Sequence, residues 1–66
     1  MDKECVMSEE YLKNTKVIRN FAKEKGWVCA TTHRYEFWEG EDYITPNGRI
    51  IRVALHSTGN IEIFNL

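Results

Sequence analysis

The period of the apolar positions changes at Trp27, from helical spacing before it to strand-like spacing after it. Before Trp27, apolar side chains recur every three or four residues, as they do along one face of a helix. The pattern therefore predicts a helix over residues 8–25 whose Ile18 and Phe21 pack against Ile51 and Val53 of a sheet. The face is expected to carry Tyr11, Val17, Ile18, Phe21, Ala22 and Lys25.

Capping residues mark both ends of this helix. Ser8 is a suitable N-cap, and Gly26 supplies a residue that accepts the left-handed conformation common after a last turn. Asn14 or Thr15 is a second candidate cap, so the helix either is continuous or breaks at this point. Residues 1–7 have no clear period, and we expect them either to fray or to tuck their apolar side chains under the core.

After Trp27 the chain becomes rich in β-branched and aromatic residues, which is typical of strands. The candidate segments are "WVCATT", "RYEFWEGEDYIT", "RIIRVAL" and "IEIFNL". The second segment is either one long strand or two short ones interrupted at Gly40. The predicted fold class is α+β: one domain over residues 1–66, with an N-terminal helix packed on a three- or four-stranded antiparallel sheet.

Two turns set the predicted register of the sheet. Asn47-Gly48 predicts a two-residue type I′ hairpin that pairs Pro46 with Arg49. Upstream, alternation places Tyr35 and Phe37 on the face of Tyr43 and Trp38 on the face of Ile44, and a bulge at Gly40 would reverse this assignment. At the next turn we favour a three-residue loop ending at Gly59, because it gathers the aliphatic side chains where the helix can cover them. A two-residue loop there would move Ile61 and Ile63 to the opposite face.

With these registers the two faces of the sheet differ. One face is expected to hold Ile44, Ile51, Val53, Leu55, Ile61 and Ile63, under the helix. The other face is expected to hold Tyr43, Ile50, Arg52, Ala54, Phe64 and Leu66. A single helix cannot cover both, and large contiguous apolar patches usually mark an interface. The alternative is that residues 1–14 fold back over the second face.

Composition and charge narrow the function classes. The 66 residues carry a net charge of −1 and are 42% hydrophobic, which is typical of a globular domain without a strong attraction to nucleic acid. No segment resembles a membrane span or a signal peptide. Two cysteines are too few for a disulfide scaffold, so we expect reduced thiols and a cytoplasmic location.

The charges are unevenly distributed. Residues 12–25 hold five basic side chains, whereas residues 36–42, "EFWEGED", hold four carboxylates and no base. The aromatic residues near these carboxylates suit a basic protein surface better than phosphates. Trp38 in particular is expected to be a partly exposed anchor.

Evidence for chemistry is sparse. Cys29 and His33 form one loose C-x₃-H pair, whereas structural zinc sites favour paired short spacings. Along a strand, residues four apart are about 13 Å from each other, too far for a cysteine–histidine dyad. The sequence therefore predicts no metal, no cofactor and no small-molecule substrate.

"KGWVCATTHRYEF" followed by "NGRIIRVALH" resembles the HicA toxin family. The resemblance implies a compact ribonuclease with His33 as its catalytic residue. It covers about half of the chain and does not assign the family, because Thr31-Thr32 stands where the family has Gly-Ser. A small RNA-binding or HicA-like ribonuclease module using His33 and the basic helix face is therefore the alternative hypothesis.

The favoured hypothesis is a small non-enzymatic protein-binding module, of the inhibitor or adaptor kind, such as a phage host-takeover or regulatory factor. It would occupy a partner protein, or a second copy of itself, through an aromatic and acidic surface of the sheet. Nucleic acid and membrane are not expected as partners. The expected binding residues are Tyr35, Phe37, Trp38, Glu39, Glu41, Asp42, Tyr43, Ile50, Arg52 and Phe64.

Overall fold

The computed structural model describes residues 7–66. Two short helices precede a four-stranded antiparallel sheet, which confirms the predicted α+β class. The elements are α1 Glu9–Asn14, α2 Lys16–Glu24, β1 Val28–Arg34, β2 Trp38–Ile44, β3 Ile50–His56 and β4 Ile61–Asn65. The strands lie in the order β1-β2-β3-β4, so each strand pairs with its neighbour in sequence.

The helical segment is broken at Thr15, one of the two alternatives that the sequence left open. The Ser8 hydroxyl accepts a hydrogen bond from the Tyr11 amide, which confirms Ser8 as the N-cap. At the break, Thr15 donates its hydroxyl to the Tyr11 carbonyl at 2.5 Å. Such local side-chain bonds compete with the helical ladder. Gly26 has a φ of 78°, as expected of the residue that follows a helix.

The first hairpin differs from the prediction. Ile44 pairs with Ile50, because Thr45 donates its amide to Arg49 and the loop therefore has three residues, 46–48. Only Gly48 of this loop has a positive φ, so Asn47 does not form the predicted type I′ turn. Pro46 supplies the reason, since its fixed φ suits the second position of a type I turn. The one-residue shift moves Ile44 and Tyr43 to the faces opposite those predicted.

The second hairpin follows the favoured prediction. Leu55 pairs with Ile61 and Val53 with Ile63, through a three-residue loop that ends at Gly59. Gly59 has a φ of 93°. Both hairpins therefore use the same loop type, in which a glycine closes the turn.

Both helices pack on one face of the sheet, which we call the helix-side face; the other is the open face. The helix-side face holds two buried clusters, the first of Met7, Tyr11 and Leu55 and the second of Ala22, Tyr43 and Val53. Ile18 and Trp27 pack against the second cluster, as predicted for Ile18. Because Met7 and Tyr11 belong to the helix-side face, residues 7–14 do not cover the open face.

Phe21 lies outside the core that was predicted for it. Its side chain is 46% exposed, and its ring centroid lies 5.6 Å from that of Trp27, with the two rings perpendicular. Ala22, one residue later, occupies the position that faces the sheet and is 1% exposed. Val17, which was also predicted for the buried stripe, lies on the solvent side and is 80% exposed.

Gly40 is not a bulge, and β2 passes through it without a register shift. The irregularity lies instead on β1, between Cys29 and Thr31. A Cβ atom at Gly40 would lie 2.3 Å from the Val53 carbonyl oxygen and 3.1 Å from the Trp38 ring. The glycine therefore lets the indole lie against the backbone of the sheet.

Cys29 is disulfide-bonded, so the expectation of reduced thiols is wrong at this residue. The only other cysteine of the sequence, Cys5, lies outside the described residues. Disulfides persist mainly in oxidising compartments, so the cysteines no longer support a cytoplasmic location, which stays a prediction. Within residues 7–66, no helix is long and apolar enough to cross a membrane.

Candidate binding surface

The open face carries a row of aliphatic side chains that crosses β1, β2 and β3 and ends at Leu66, the residue after β4. The pairs Val28–Ile44 and Ile44–Ile50 place three of them side by side, and the Leu66 amide, which donates to the Ile50 carbonyl, adds the fourth. Opposite residues of an antiparallel pair point to the same face. Their exposed fractions run from 41% to 63%, which is high for paired apolar residues. We call Val28, Ile44, Ile50 and Leu66 the aliphatic row.

Phe64 extends the aliphatic row toward the centre of the face. It pairs with Arg52 on β3 and is 40% exposed. Ile50, Phe64 and Leu66 were predicted for this face, and the structure places all three there. Val28 was not predicted for this face, and Ile44 was assigned to the wrong face through the hairpin register.

An ion-paired cluster occupies the centre of the open face. Arg52 makes two hydrogen bonds to Asp42, from Nε to Oδ1 at 2.7 Å and from Nη2 to Oδ2 at 3.1 Å. The Nε2 atom of His33 lies 2.9 Å from Asp42 Oδ2 and 3.3 Å from Arg52 Nη2. The hydrogen bonds from Arg52, reinforced by His33, hold the pKa of Asp42 below its ordinary value. The pKa of Arg52 is raised by the same bonds.

Aromatic rings lie at the other end of the open face. The ring centroid of Trp38 is 5.3 Å from that of His33 and 5.1 Å from that of Tyr35. The Arg52 guanidinium lies 5.7 Å from the Trp38 ring, a cation–π contact. Trp38 is half-buried, as expected of a partly exposed anchor, whereas Tyr35 is 61% exposed in the β1–β2 loop. Phe37 lies in the same loop and is also exposed.

The four carboxylates of residues 36–42 do not form one exposed strip, and this expectation is wrong. Glu41 is fully buried on the helix-side face, and Asp42 is buried on the open face by its ion pairs. Glu39 also lies on the helix-side face, where it accepts hydrogen bonds from the Ser8 amide and hydroxyl. Only Glu36, in the loop, is exposed.

Glu41 lies between the helices and the sheet in a polar cluster. It accepts hydrogen bonds from Arg19 Nη1 at 3.0 Å and from the Tyr43 hydroxyl at 2.5 Å. Burial raises the pKa of Glu41 above its ordinary value, although Tyr43 and Arg19 oppose the shift. Burial and the Glu41 charge also raise the pKa of Tyr43 and of Tyr11. These groups hold the two layers together and are not available to a partner.

The predicted binding residues are therefore split between two faces and a loop. Ile50, Arg52, Phe64, Trp38 and Asp42 share the open face. Glu39, Glu41 and Tyr43 belong to the helix-side face, and Tyr35 and Phe37 lie in the β1–β2 loop. A role for any of them in binding stays a prediction. The missed residue Ile44 could have been found from the Pro46 turn, which fixes the register of β2 against β3. Val28 could not, because its place depends on the pairing of β1 with β2, which is irregular between Cys29 and Thr31.

No group of three or more metal-ligating side chains occurs among residues 7–66. The His33–Asp42 pair has the geometry of an oriented histidine, but the Nε2 atom that Asp42 contacts is also the one nearest Arg52. The cations are divided between the layers, with Arg52 on the open face and the lysines of α2 on the opposite side of the molecule.

No protein-family model, curated protein or solved structure gives a significant match to this chain.

Proposed function

We propose that the protein is a non-enzymatic protein-binding module that occupies a partner protein with its open face. The observation that carries this proposal is the aliphatic row, whose four side chains are each more than 40% exposed although they lie side by side. Contiguous apolar surface of this kind is uncommon on soluble monomers and usually marks an interface. Its burial by a partner would supply the hydrophobic contribution that drives most protein association.

The partner's contacting surface would be mainly apolar, with polar groups facing the ion-paired cluster. A basic partner surface, as the sequence suggested, loses its support because Glu41 and Asp42 are already paired to cations of the same chain. Trp38 and Phe64 are the aromatic anchors on this face, and aromatic residues dominate binding hot spots.

The test compares Ile50→Ser in the aliphatic row with Val17→Ser, a matched loss of an aliphatic side chain on the solvent side of α2. Val17 is 80% exposed and lies on the opposite layer. Each immobilised variant is used to capture proteins from extracts of the source cells, and the affinity for each captured protein is then measured with purified components. Circular dichroism checks that both variants fold.

We expect partners of the unsubstituted protein to be retained by Val17→Ser and lost by Ile50→Ser. Retention of every partner by a folded Ile50→Ser would contradict the proposal. Unfolding of Ile50→Ser alone would show that the open face is internal core of the folded protein, and this outcome would also contradict it.

A second candidate is a single-stranded RNA-binding surface at the aromatic end of the open face. The observation in its favour is that the Trp38 and Tyr35 rings lie together there, with the Arg52 guanidinium against Trp38, while Glu39 lies on the other face. Bases stack on such platforms, and cations contact the backbone. Salt-dependent binding to a generic RNA, lost in Trp38→Ala, would support this function over protein binding.

A further inference from the structure

Strand β4 is the least covered element of the sheet. All five residues of Ile61–Asn65 are exposed, whereas Val53, Ala54 and Leu55 of the neighbouring β3 are buried. The core clusters under the helices reach β3 and include no residue of β4. As a result, Ile61 and Ile63 on the helix-side face are 38% and 56% exposed. The sheet therefore extends one strand beyond the helices that cover it.

The hydrogen bonds at the two ends of β4 determine which of its residues bond to β3. The His56 amide donates to the Asn60 carbonyl, and the Leu66 amide donates to the Ile50 carbonyl. In an antiparallel pair, hydrogen-bonded residues alternate with residues whose amide and carbonyl groups point away from the partner strand. Residues 60, 62, 64 and 66 therefore bond to β3. The amide and carbonyl groups of Ile61, Ile63 and Asn65 point to the outer edge, where no described residue pairs with them.

The two edges of the sheet are protected differently. The edge strand β1 is interrupted by the irregularity between Cys29 and Thr31 and carries Arg34 and His33 at its end. Bulges and charges of this kind discourage further strand pairing. Strand β4 pairs with β3 in an uninterrupted register, contains no lysine or proline, and has Glu62 as its only charge. It is therefore the edge of this sheet that is suited to pairing.

The free groups of β4 are complementary to those of a second copy. A two-fold axis perpendicular to the sheet at Ile63 would place Ile63 opposite Ile63 of the other copy and Ile61 opposite its Asn65. All three residues with outward-pointing groups then pair, giving about six hydrogen bonds at two per pair. An axis at Glu62 would instead set two carboxylates directly opposite each other, which is unfavourable.

We propose that two copies of the chain associate through antiparallel pairing of β4 with β4, about an axis at Ile63, to form a continuous eight-stranded sheet. On the helix-side face, Ile61 and Ile63 of both copies fill the space between the two helical layers. Two-fold interfaces of this kind are self-complementary, and domains of this size often depend on association for stability. The open faces of the two copies remain accessible on the other side.

The test measures the dimer dissociation constant by sedimentation equilibrium for the unsubstituted chain, for Ile63→Lys and for Val17→Lys. Ile63→Lys sets two ammonium groups opposite each other at the axis, whereas Val17→Lys makes the same change on the solvent side of α2. We expect a dimer whose dissociation constant rises more than about tenfold in Ile63→Lys and is unchanged in Val17→Lys. A chain that is monomeric at millimolar concentration, or a dimer unaffected by Ile63→Lys, would overturn the proposal.

Amide hydrogen exchange of the unsubstituted chain gives a second measurement that does not depend on a variant folding. The Glu62 and Phe64 amides bond to β3 and should be protected at every concentration. Protection of the Ile63 amide should appear only as the protein concentration rises and the dimer forms. If Ile63 exchanges freely where the protein is dimeric, association occurs through another surface. Ile50→Ser should leave this dimer intact, so failure here is distinguishable from failure of the proposed function.

Discussion

Glu41 and Asp42 are adjacent in sequence, lie on opposite faces of β2, and have pKa values shifted in opposite directions. Glu41 faces the helices, where loss of water is the largest influence and raises its pKa. Asp42 faces outward, where two hydrogen bonds from Arg52 are the largest influence and lower its pKa. The comparison shows that the number of polar partners does not decide the direction. What decides it is whether the partners compensate for the water that each carboxylate has lost.

The largest expected effect comes from breaking the buried pair on the helix-side face. Arg19→Met removes the cation that faces Glu41. The fully buried Glu41 carboxylate then keeps one of its two described hydrogen-bond donors, the uncharged Tyr43 hydroxyl. Removing one partner of a fully buried pair typically costs roughly 3–5 kcal/mol. Because the Arg19 side chain is 31% exposed, we expect a loss near the lower end of this range, which is still a large part of the stability of a small domain. Chemical denaturation at neutral pH measures the loss.

The matched control is the double variant Arg19→Met/Glu41→Gln, which removes both charges together. It should be more stable than Arg19→Met alone, because no uncompensated charge remains. The loss in Arg19→Met should also shrink in acid, where Glu41 takes up a proton. Equal stability of Arg19→Met and the unsubstituted chain at neutral pH would show that the pair does not join helix and sheet.

The second prediction is that Asp42 and Glu41 contribute to the free energy of unfolding with opposite dependence on pH. The pKa of Asp42 is lower in the folded than in the unfolded chain, so its contribution to stability is present above the unfolded pKa of about 3.9 and is lost as pH falls through the folded value. The pKa of Glu41 is raised by folding. Its contribution is therefore greatest below the unfolded pKa of about 4.3 and is lost as pH rises through the folded value.

Denaturation of the unsubstituted chain, Asp42→Asn and Glu41→Gln at a series of pH values measures this difference. The stability advantage of the unsubstituted chain over Asp42→Asn should grow as pH rises. Its stability relative to Glu41→Gln should fall over the same range. If both stability differences changed with pH in the same direction, folding would shift the pKa values of Asp42 and Glu41 in the same direction, and the comparison would be wrong.

The smallest expected effect is on the open face. Ile44→Ser changes the centre of the aliphatic row, where the side chain is 41% exposed and touches no helix. Surface substitutions of this kind usually alter the free energy of unfolding by less than about 0.5 kcal/mol. Thermal unfolding should therefore resolve little change, whereas a loss comparable to that in Arg19→Met would place Ile44 in a core.

The helices and strands were predicted more accurately from the sequence than the face of the sheet on which each side chain lies. The helix caps at Ser8 and Gly26 follow from local backbone chemistry, which one segment of sequence contains. The three-residue turn ending at Gly59 was chosen because it gathers the aliphatic side chains on the face that the helix can cover. The first hairpin was missed because Asn47-Gly48 suggests a two-residue loop unless the fixed φ of Pro46 is counted. Since side chains alternate along a strand, that one-residue error reversed Tyr43 and Ile44 together.

The candidate surface was harder to predict than the fold. Ile50 and Phe64 were placed correctly on the open face because their strands have simple alternation, whereas alternation from the wrong hairpin register placed Trp38 with Ile44 under the helices. The ion pairing of Asp42 with Arg52 and His33 joins three strands, and no local pattern encodes it. Phe21 and Ala22 both belong to the apolar stripe of the helix, and the stripe alone did not show that Ala22 would take the sheet-facing position.

The position of the two tryptophans makes this protein suited to fluorescence. Trp27 lies against Phe21 and Tyr43 on the helix-side face, and Trp38 lies beside His33 and Arg52 on the open face. Each indole thus has a different environment, and the variants Trp27→Phe and Trp38→Phe would each leave a single emitter. The spectrum from Trp27 would follow docking of the helices during folding. The spectrum from Trp38 would follow occupation of the open face, so one instrument could time folding and binding separately in the same molecule.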